Sequence, residues 1–252
     1  MENNATAEEL RMLLIPGSSL GGARPKASVI DKNGNLAIAK FPRKDDDTDT
    51  VRWEALALTL AQSAGITVPE WRLETITGKA VLIIRRFDRK NGERIPFLSA
   101  MSMLDASDND GQIHSYIDIA NSLRQYGEQP DTDMKELWRR MVFGIMISNT
   151  DDHLRNHGFL YSLNRGWKLS PAYDLNPNKD KKIFATSIDN TGRQNSIELA
   201  LQNTDAFNIS RTQAKTILDE VKISISNWRN VAKKLKIPEN NISGMEAAFE
   251  YD

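Results

Sequence analysis

The apolar positions near the start of the chain alternate with polar ones, and then their spacing changes. Residues 27–41 alternate on both sides of Asn33 and Gly34, a pair typical of a tight hairpin turn, and so predict two antiparallel strands. Over residues 53–64 the apolar positions recur at helical spacing, which predicts an amphipathic helix. Gly65 follows where such a helix would end.

Two more strands are predicted after this helix. Residues 71–76 and 79–87 flank a Thr-Gly turn, and the second segment contains an unbroken apolar run over 81–84. A run of this kind is typical of a strand that is buried on both faces. The first 88 residues are therefore expected to be mostly sheet with one helix.

The second part of the chain is dominated by helical periodicity. Apolar stripes predict a core helix over 134–146 and one long C-terminal helix over 214–235, and short strands are expected on either side of residues 164–166. A strand-rich part followed by a helical part predicts an α+β fold of two lobes with a cleft between them. We assign residues 1–88 to the N-lobe and 89–252 to the C-lobe.

The composition is that of an ordinary globular protein. Of 252 residues, 40% are hydrophobic and 27% charged, and the formal net charge is -1, so no strong basic field favours direct nucleic-acid binding. The absence of cysteine excludes a disulfide and a thiolate nucleophile. The chain starts without a basic, apolar leader and has no apolar run near the roughly 20 residues that span a bilayer. We therefore expect a soluble, cytoplasmic protein that does not associate with membranes.

The polar residues with the clearest chemical pattern follow the core helix. Asp151 and Asn156 stand five positions apart, and Asp174 follows in a Tyr-Asp pair. A protein kinase needs a carboxylate to accept the substrate hydroxyl proton, an amide oxygen five residues later for one Mg²⁺, and a downstream carboxylate for the metal at the ATP phosphates. The order and spacing of these three residues therefore predict phosphoryl transfer.

The predicted N-lobe carries features that suit a nucleotide site. Residues 17–26 are rich in glycine and serine and include Arg24 and Lys26, so backbone N–H groups and positive charges are available for phosphate oxygens. The segment matches neither the P-loop pattern nor the Rossmann fingerprint. Lys40 ends the second hairpin strand, like the phosphate-binding lysine of kinases, and Glu54 on the next helix is placed to pair with it.

Two other functions remain open on the sequence. His153 and His157 are four positions apart and would share one face of a helix, where with an aspartate they would suit zinc and a metallohydrolase. That hypothesis leaves the glycine-rich segment and Lys40 without a role. A catalytically quiet module that binds nucleotide and sequesters a partner would keep the same residues, and a phosphotransfer assay separates it from a kinase.

Five segments together closely resemble the HipA-type serine/threonine kinases, the toxins of bacterial toxin–antitoxin modules. They are residues 17–26, 40–42, 86–89, 149–156 and 169–174. The patterns Asn-Thr-Asp-Asp-His-x-x-Asn and Ser-Pro-x-Tyr-Asp in the last two are the most specific, and the resemblance covers nearly the whole chain. It implies a protein-kinase-like fold with a sheet-rich N-lobe and a mainly helical C-lobe, and it implies ATP and Mg²⁺ as cofactors.

The resemblance also implies a role for each candidate residue. Asp151 is implied as the catalytic base, with Asn156 and Asp174 as Mg²⁺ ligands. Lys40 is implied to contact the ATP phosphates. The other residues implied to bind ATP are Gly21, Gly22, Ala23, Arg24, Lys26, Arg85, Phe87, His153 and Tyr173.

Regulation and partners follow from the same resemblance. Ser19, or alternatively Ser18, is the loop position that the family autophosphorylates to silence itself. Family substrates include aminoacyl-tRNA synthetases, and the usual partner is a helix-turn-helix antitoxin. The chain departs from the family pattern at Arg85, where many members carry an acidic residue, and in the short stretch before residue 17. It resembles the split members whose missing N-terminal subdomain is a separate small protein.

Overall fold

The computed structural model describes residues 24–31, 33–43, 48–90, 92–108, 111–163, 165–180 and 182–251. The first part contains strands β1 (Lys26–Ile30), β2 (Leu36–Lys40), β3 (Trp71–Ile76) and β4 (Lys79–Arg85). They form one antiparallel sheet in the spatial order β1-β2-β4-β3. The predicted hairpin and both later strands are confirmed, although β4 ends two residues earlier than expected.

Strand β4 is buried on both faces, as its unbroken apolar run predicted. Leu82 and Ile84 belong to the main hydrophobic core, whereas Val81 and Ile83 join a smaller cluster with residues of β1 and β2. Successive side chains of a strand point to opposite faces, so an apolar run without interruption contributes to two cores at once.

Helix α1 (Thr50–Ser63) connects β2 to β3 and packs against β4. The side chain of Asp49 accepts a hydrogen bond from the Arg52 N–H and caps the first turn. Gly65 follows the C-cap residue Ala64 and adopts φ 77°, the left-handed conformation in which many helices end. The predicted helix and its end are therefore confirmed.

The remaining described residues are mainly helical. The helices are α2 (Ala100–Met103), α3 (Tyr116–Tyr126), α4 (Pro130–Met146), α5 (Ile197–Gln202), α6 (Arg211–Ser226), α7 (Trp228–Lys234) and α8 (Glu239–Gly244), with 3₁₀ turns at Leu154–Asn156, Thr204–Phe207 and Glu246–Phe249. No helix within these described ranges is long and apolar enough to cross a membrane.

Short strands lie among these helices. They are β5 (Arg89–Lys90) and β6 (Glu93–Arg94), which form a two-stranded ribbon, and β7 (Phe97–Ser99), β8 (Gly158–Ser162) and β9 (Gly166–Leu169), which form a three-stranded sheet. The pair β8 and β9 confirms the strands predicted around residues 164–166.

Helix α4 is the predicted core helix, and it begins four residues earlier than its apolar stripe. Pro130 is its first residue, where the missing N–H group would have no partner within the helix. Asp131 and Asp133 place negative charge at the positive end of the helix dipole. The stripe from Met134 to Met146 is buried in the main core, as predicted.

The prediction of one long C-terminal helix is wrong, because the chain breaks at Asn227 into α6 and α7. The break turns Trp228 so that its ring stacks on Phe249, with centroids 4.3 Å apart and planes inclined by 7°. The same ring lies 6.2 Å from Trp53 of α1. Aromatic burial of this kind stabilises a bend that the local sequence pattern does not encode.

The main core does not divide between the two predicted lobes. Helix α1 shares one cluster of buried residues with α4 and packs against α6 and α7. Ser224 of α6 donates from its buried hydroxyl to the Leu60 carbonyl of α1 at 2.7 Å. The boundary after residue 88 follows the change from sheet to helix, and it stays a prediction.

Candidate active site

Lys40 lies at the centre of a cluster of charged side chains. Its Nζ atom donates to Oε1 of Glu54 at 2.6 Å and to Oδ1 of Asp174 at 2.9 Å. Glu54 is only 4% exposed, and Asp174 follows Lys40 by 134 residues in the chain. Three residues predicted for one site from distant parts of the sequence therefore meet.

Strand alternation explains why Lys40 points into this cluster. Ala37 and Ala39 face the smaller core, so the next residue along β2 points to the opposite face, where α1 and Glu54 lie. Strand β2 is flanked by β1 and β4. Lys40 is therefore not one of the solvated lysines that protect an exposed sheet edge.

Burial and charge act on these groups in opposite directions. Burial alone would lower the pKa of Lys40, but Glu54 and Asp174 outweigh it and raise that pKa above its usual value. Burial raises the pKa of Glu54, and Lys40 offsets part of this rise. Burial also raises the pKa of Asp174, but Lys40 outweighs it and holds that pKa below its usual range. At neutral pH the site therefore presents an ammonium ion bound to the Asp174 carboxylate.

Lys40→Met is expected to destabilise the fold by about 3 kcal/mol at pH 7, because the buried Glu54 carboxylate loses its cation. Burial holds the folded-state pKa of Glu54 above its unfolded value of about 4.3, and the part of the penalty that comes from Glu54 should therefore be absent below that pH and grow as the pH rises. Urea unfolding at several pH values measures it. Adding Glu54→Gln should recover most of the loss, and Lys79→Met, on an exposed strand lysine, is the control.

Helix α4 delivers the loop that carries Asp151. Ser148, at φ 51°, turns the chain away from the end of the helix in the left-handed conformation. Asn149 is buried, and its Oδ1 accepts from the Asn176 N–H at 3.1 Å, which ties this loop to the loop of Asp174. Asp151 itself is exposed. A loop anchored in the core thus presents an accessible carboxylate.

Asn156 and Asp174 offer the oxygen atoms that Mg²⁺ prefers. Nδ2 of Asn156 donates to the Asp151 carbonyl at 3.1 Å, which leaves its Oδ1 for another partner. Oδ1 of Asp174 accepts from Lys40 and, at 3.3 Å, from Asn176, whereas its Oδ2 takes no hydrogen bond from the described residues. An amide oxygen and a carboxylate oxygen are hard ligands, so the residues present fit a magnesium ion.

The backbone of Asp174 adopts an uncommon conformation. Its φ is 60°, in the left-handed region that residues other than glycine visit rarely. Such a conformation persists where its surroundings hold it, and here Lys40 and Asn176 both bind the side chain. The strained position coincides with the predicted metal ligand.

Asp152, the residue after Asp151, is buried, whereas Asp151 is exposed. Asp152 is 7% exposed, its Oδ2 accepts from the Tyr116 hydroxyl, and the same oxygen lies 3.3 Å from Nε2 of His157. Asp151 is therefore the aspartate of this pair that is open to a substrate.

The zinc hypothesis does not fit the structure. Leu154–Asn156 form a single 3₁₀ turn, so His153 and His157 do not share one face of an α-helix. Nδ1 of His153 is buried without a hydrogen-bond partner among the described residues, whereas the His157 ring lies 5.3 Å from the Tyr116 ring. In the part of the chain that the structure describes, no three His, Cys, Asp or Glu side chains are placed to hold one metal ion.

Phe87 and Tyr173, both predicted to line the nucleotide pocket, lie side by side. Their ring centroids are 5.6 Å apart, and the Tyr173 hydroxyl donates to the Arg155 carbonyl at 2.7 Å. Burial, followed by the nearby carboxylates, raises the pKa of Tyr173 above its usual value, so this side chain is a neutral phenol. The contact of both rings with a nucleotide stays a prediction.

The hydrogen bonds of the Arg85 side chain lie outside the charged cluster around Lys40. Its guanidinium donates to Glu70 at 2.8 Å and to Asn35 at 3.3 Å, and its backbone N–H donates to the Glu70 carbonyl at 2.8 Å. No contact among the described residues brings this side chain to Lys40. A role of Arg85 at the adenine stays a prediction.

Only the end of the glycine-rich segment belongs to the described residues. Arg24 donates to the Thr50 hydroxyl at 2.7 Å, at the start of α1. The positive charge of Lys26 lowers the pKa of both Glu54 and Asp174, after the larger effects of burial and Lys40. The remaining residues predicted here lie outside the described ranges: Ser18, Ser19, Gly21, Gly22 and Ala23.

The sequence did not single out Tyr116 and Asn176. Tyr116 lies 36 residues before Asp152, so no local pattern links the two. Asn176 lies two positions after Asp174, and short-range side-chain hydrogen bonds of asparagine are a known feature of turns. The position of Asn176 two residues after Asp174 is therefore the sequence feature from which its hydrogen bond to Asp174 could have been predicted.

Two solved structures share the overall fold of this chain. The chain matches a chain of the Shewanella oneidensis toxin–antitoxin complex of HipA, HipB and operator DNA with a TM-score of 0.72, at 18% identity over 92% of this chain and 62% of that one. It matches the proinflammatory kinase CtkA of Helicobacter pylori with a TM-score of 0.60, at 18% identity over 88% of this chain and 95% of that one. The fold is therefore the predicted two-lobed α+β fold of the protein-kinase-like class.

Sequence comparison specifies the family within this class. The chain belongs to the HipA-like C-terminal domain family, whose profile matches residues 18–228. A Haemophilus influenzae protein named as a candidate kinase is 28% identical over 63% of this chain and 52% of its own length. The serine/threonine-protein kinase CtkA of Helicobacter pylori is 24% identical over 71% of this chain and 59% of its own length. The chain thus spans about half the length of these curated relatives.

Proposed function

We propose that this protein is an ATP- and Mg²⁺-dependent protein serine/threonine kinase. The observation that carries the proposal is the Lys40 ammonium, which joins the buried Glu54 of the N-lobe helix to Asp174 of the predicted metal loop. Protein kinases need such a lysine–glutamate pair and a downstream metal-binding aspartate to hold the ATP phosphates. Relatives named as kinases support the same activity.

Each residue has a distinct task in this proposal. Lys40 orients the ATP phosphates, and Asp151, exposed on the loop after α4, accepts the proton of the substrate hydroxyl. Asn156 and Asp174 would hold Mg²⁺, which neutralises the charge that develops on the phosphates. Phe87 and Tyr173 would stack near the adenine.

Incubation with labelled ATP, Mg²⁺ and a cytosolic extract tests the activity. A labelled protein that appears with the wild type and not with Asp151→Asn supports the kinase, and mass spectrometry then identifies the substrate. An extract that stays unlabelled while the wild type binds Mg·ATP would favour the quiet nucleotide-binding module instead.

We also infer that the kinase acts as the toxin of a toxin–antitoxin system. The family match and the Shewanella oneidensis complex with HipB and operator DNA support this role. The partner would be a helix-turn-helix antitoxin, and an aminoacyl-tRNA synthetase is the first substrate to test. Induced expression should arrest growth with intact Asp151 and should not do so with Asp151→Asn.

Phosphorylation of Ser19 is expected to silence the enzyme, because a phosphoserine would add about -1.5 to -2 charges to the glycine-rich segment that is proposed to bind the ATP phosphates. The new group would also compete for Arg24, Lys26 and Lys40. Mg·ATP affinity should therefore be lower in the phosphorylated protein. Ser19→Ala should stay active and, if Ser18 does not substitute, be at least as toxic as the wild type.

Intact-mass measurement of the wild type, Asp151→Asn, Ser18→Ala and Ser19→Ala tests self-modification. A phosphate on either serine of Asp151→Asn, made without an active copy, would show that another kinase adds it. Equal Mg·ATP affinity of the phosphorylated and unphosphorylated proteins would disprove silencing by charge.

A further inference from the structure

Each of the two predicted catalytic-loop residues is followed directly by a buried polar residue. Asp151 precedes Asp152, which is 7% exposed, and Asn156 precedes His157, which is 3% exposed. The side chains of Asp152 and His157 face each other, with Oδ2 and Nε2 separated by 3.3 Å. The contact lies at ion-pair distance without the alignment of a hydrogen bond. The two ends of the loop are thus in contact through the buried side chains of Asp152 and His157.

Tyr116, the first residue of α3, completes this cluster from outside the loop. Its hydroxyl donates to the same Oδ2 atom of Asp152, and its ring meets the His157 ring edge-on at 5.3 Å. All three side chains are buried. A single carboxylate oxygen therefore links α3 to both ends of the loop.

The backbone of the same two loop residues is also tied to neighbouring elements. The Asp152 carbonyl accepts from the Thr186 hydroxyl at 2.6 Å, and the His157 carbonyl accepts from the Ala100 N–H at 2.7 Å. By contrast, the side chain of Asp151 is exposed. The buried residues are held firmly, while the adjacent catalytic side chain is left open.

The protonation of the cluster agrees with these contacts. Burial alone would raise the pKa of Asp152, but His157 and Tyr116 outweigh it and hold the pKa below its usual value. Burial, followed by the Asp152 charge, raises the pKa of Tyr116 well above its usual value. In the contact between Tyr116 and Asp152, a neutral phenol therefore donates to an ionised carboxylate. Hydrogen bonds to a charged acceptor are among the stronger ones.

We propose that Tyr116, Asp152 and His157 form a buried clamp that sets the separation of Asp151 from Asn156. The inference rests on the proposed kinase function and names positioning residues for it. The clamp residues do not touch the reacting atoms. They act because Asp151 and Asn156 are each bonded covalently to a clamped neighbour, so a shift of either anchor moves a catalytic group.

Three substitutions of clamp residues and one control test the clamp. Tyr116→Phe removes the hydroxyl and keeps the ring, and Tyr161→Phe is its matched control, since that hydroxyl has no hydrogen-bond partner among the described residues and its ring packs on Trp167. His157→Leu removes the ring nitrogens, whereas His157→Gln keeps an amide group near the position of Nε2. For each protein we would measure kcat, KM for ATP, thermal stability and hydrogen exchange of residues 148–157.

Tyr116→Phe should lower kcat about tenfold with KM for ATP within about twofold, because misplacement of a catalytic group by about 1 Å can cost 10²-fold in rate. His157→Gln should keep clearly more activity per folded molecule than His157→Leu. Hydrogen exchange over 148–157 should accelerate in Tyr116→Phe and in His157→Leu, and not in Tyr161→Phe.

Two outcomes would overturn the clamp. The first is that Tyr116→Phe leaves both kcat and the hydrogen exchange of residues 148–157 unchanged. The second is that His157→Gln is no more active than His157→Leu and that the activity losses of both variants follow their thermal stability alone. A wild type without phosphotransfer activity would instead overturn the proposed function. Hydrogen exchange needs no catalysis, so it still decides whether the cluster holds the loop.

Discussion

Asp151→Asn is expected to reduce the rate of phosphotransfer on the order of 10²-fold or more, the usual scale for loss of a positioned general base. An asparagine side chain keeps the size of the aspartate but does not accept the substrate proton. The Asp151 side chain is exposed, and its backbone carbonyl, which binds Asn156, is unchanged by the substitution. Both thermal stability and Mg·ATP affinity should therefore stay close to those of the wild type.

Steady-state rates with a labelled protein substrate measure this effect. Asp180→Asn is the matched control, because it removes one negative charge from an exposed aspartate whose ion-pair contact, with Lys179, is a surface one at 3.4 Å. An Asp151→Asn protein that keeps more than about a tenth of the wild-type rate would not be consistent with general-base catalysis at this position.

Asp174→Asn is expected to abolish Mg²⁺-dependent nucleotide binding and with it the phosphotransfer activity. The substitution keeps the shape of the side chain but removes the charge that would face the metal. It also removes the anion that pairs with Lys40 at 2.9 Å. The effect on the rate should be at least as large as that of Asp151→Asn.

ATP titrations with and without Mg²⁺ separate the two roles of Asp174. Without metal, Asp174→Asn should bind ATP at least as tightly as the wild type, because a carboxylate that repels the phosphates is gone and Lys40 is released. With metal, the wild type should gain affinity and the variant should not. Equal gains in both proteins, or retention of full activity by the variant, would contradict the metal assignment.

Much of the fold could be predicted because it depends on short-range physics. The Asn-Gly turn, the helix end at Gly65 and the two-faced burial of β4 follow from backbone preferences and from side-chain periodicity, which are properties of neighbouring residues. The long C-terminal helix was predicted wrongly for the same reason. Its periodicity continues through Asn227, whereas the break is accompanied by the packing of Trp228 on Phe249, a residue from a later segment.

The candidate site also combines features that the sequence predicts with features that depend on long-range contacts. The sequence by itself determined the residue types and the order Lys40, Glu54, Asp151, Asn156 and Asp174, and it determined the five-residue spacing of Asp151 and Asn156, which belong to one short loop. It did not distinguish Asp151 from Asp152 by exposure, and it did not reveal Tyr116. Those features depend on burial and on contacts between residues far apart in the chain, such as the 134-residue separation between Lys40 and Asp174. Only the tertiary structure decides which carboxylate faces solvent and which is held in the core, because the exposure of each side chain depends on the elements packed around it.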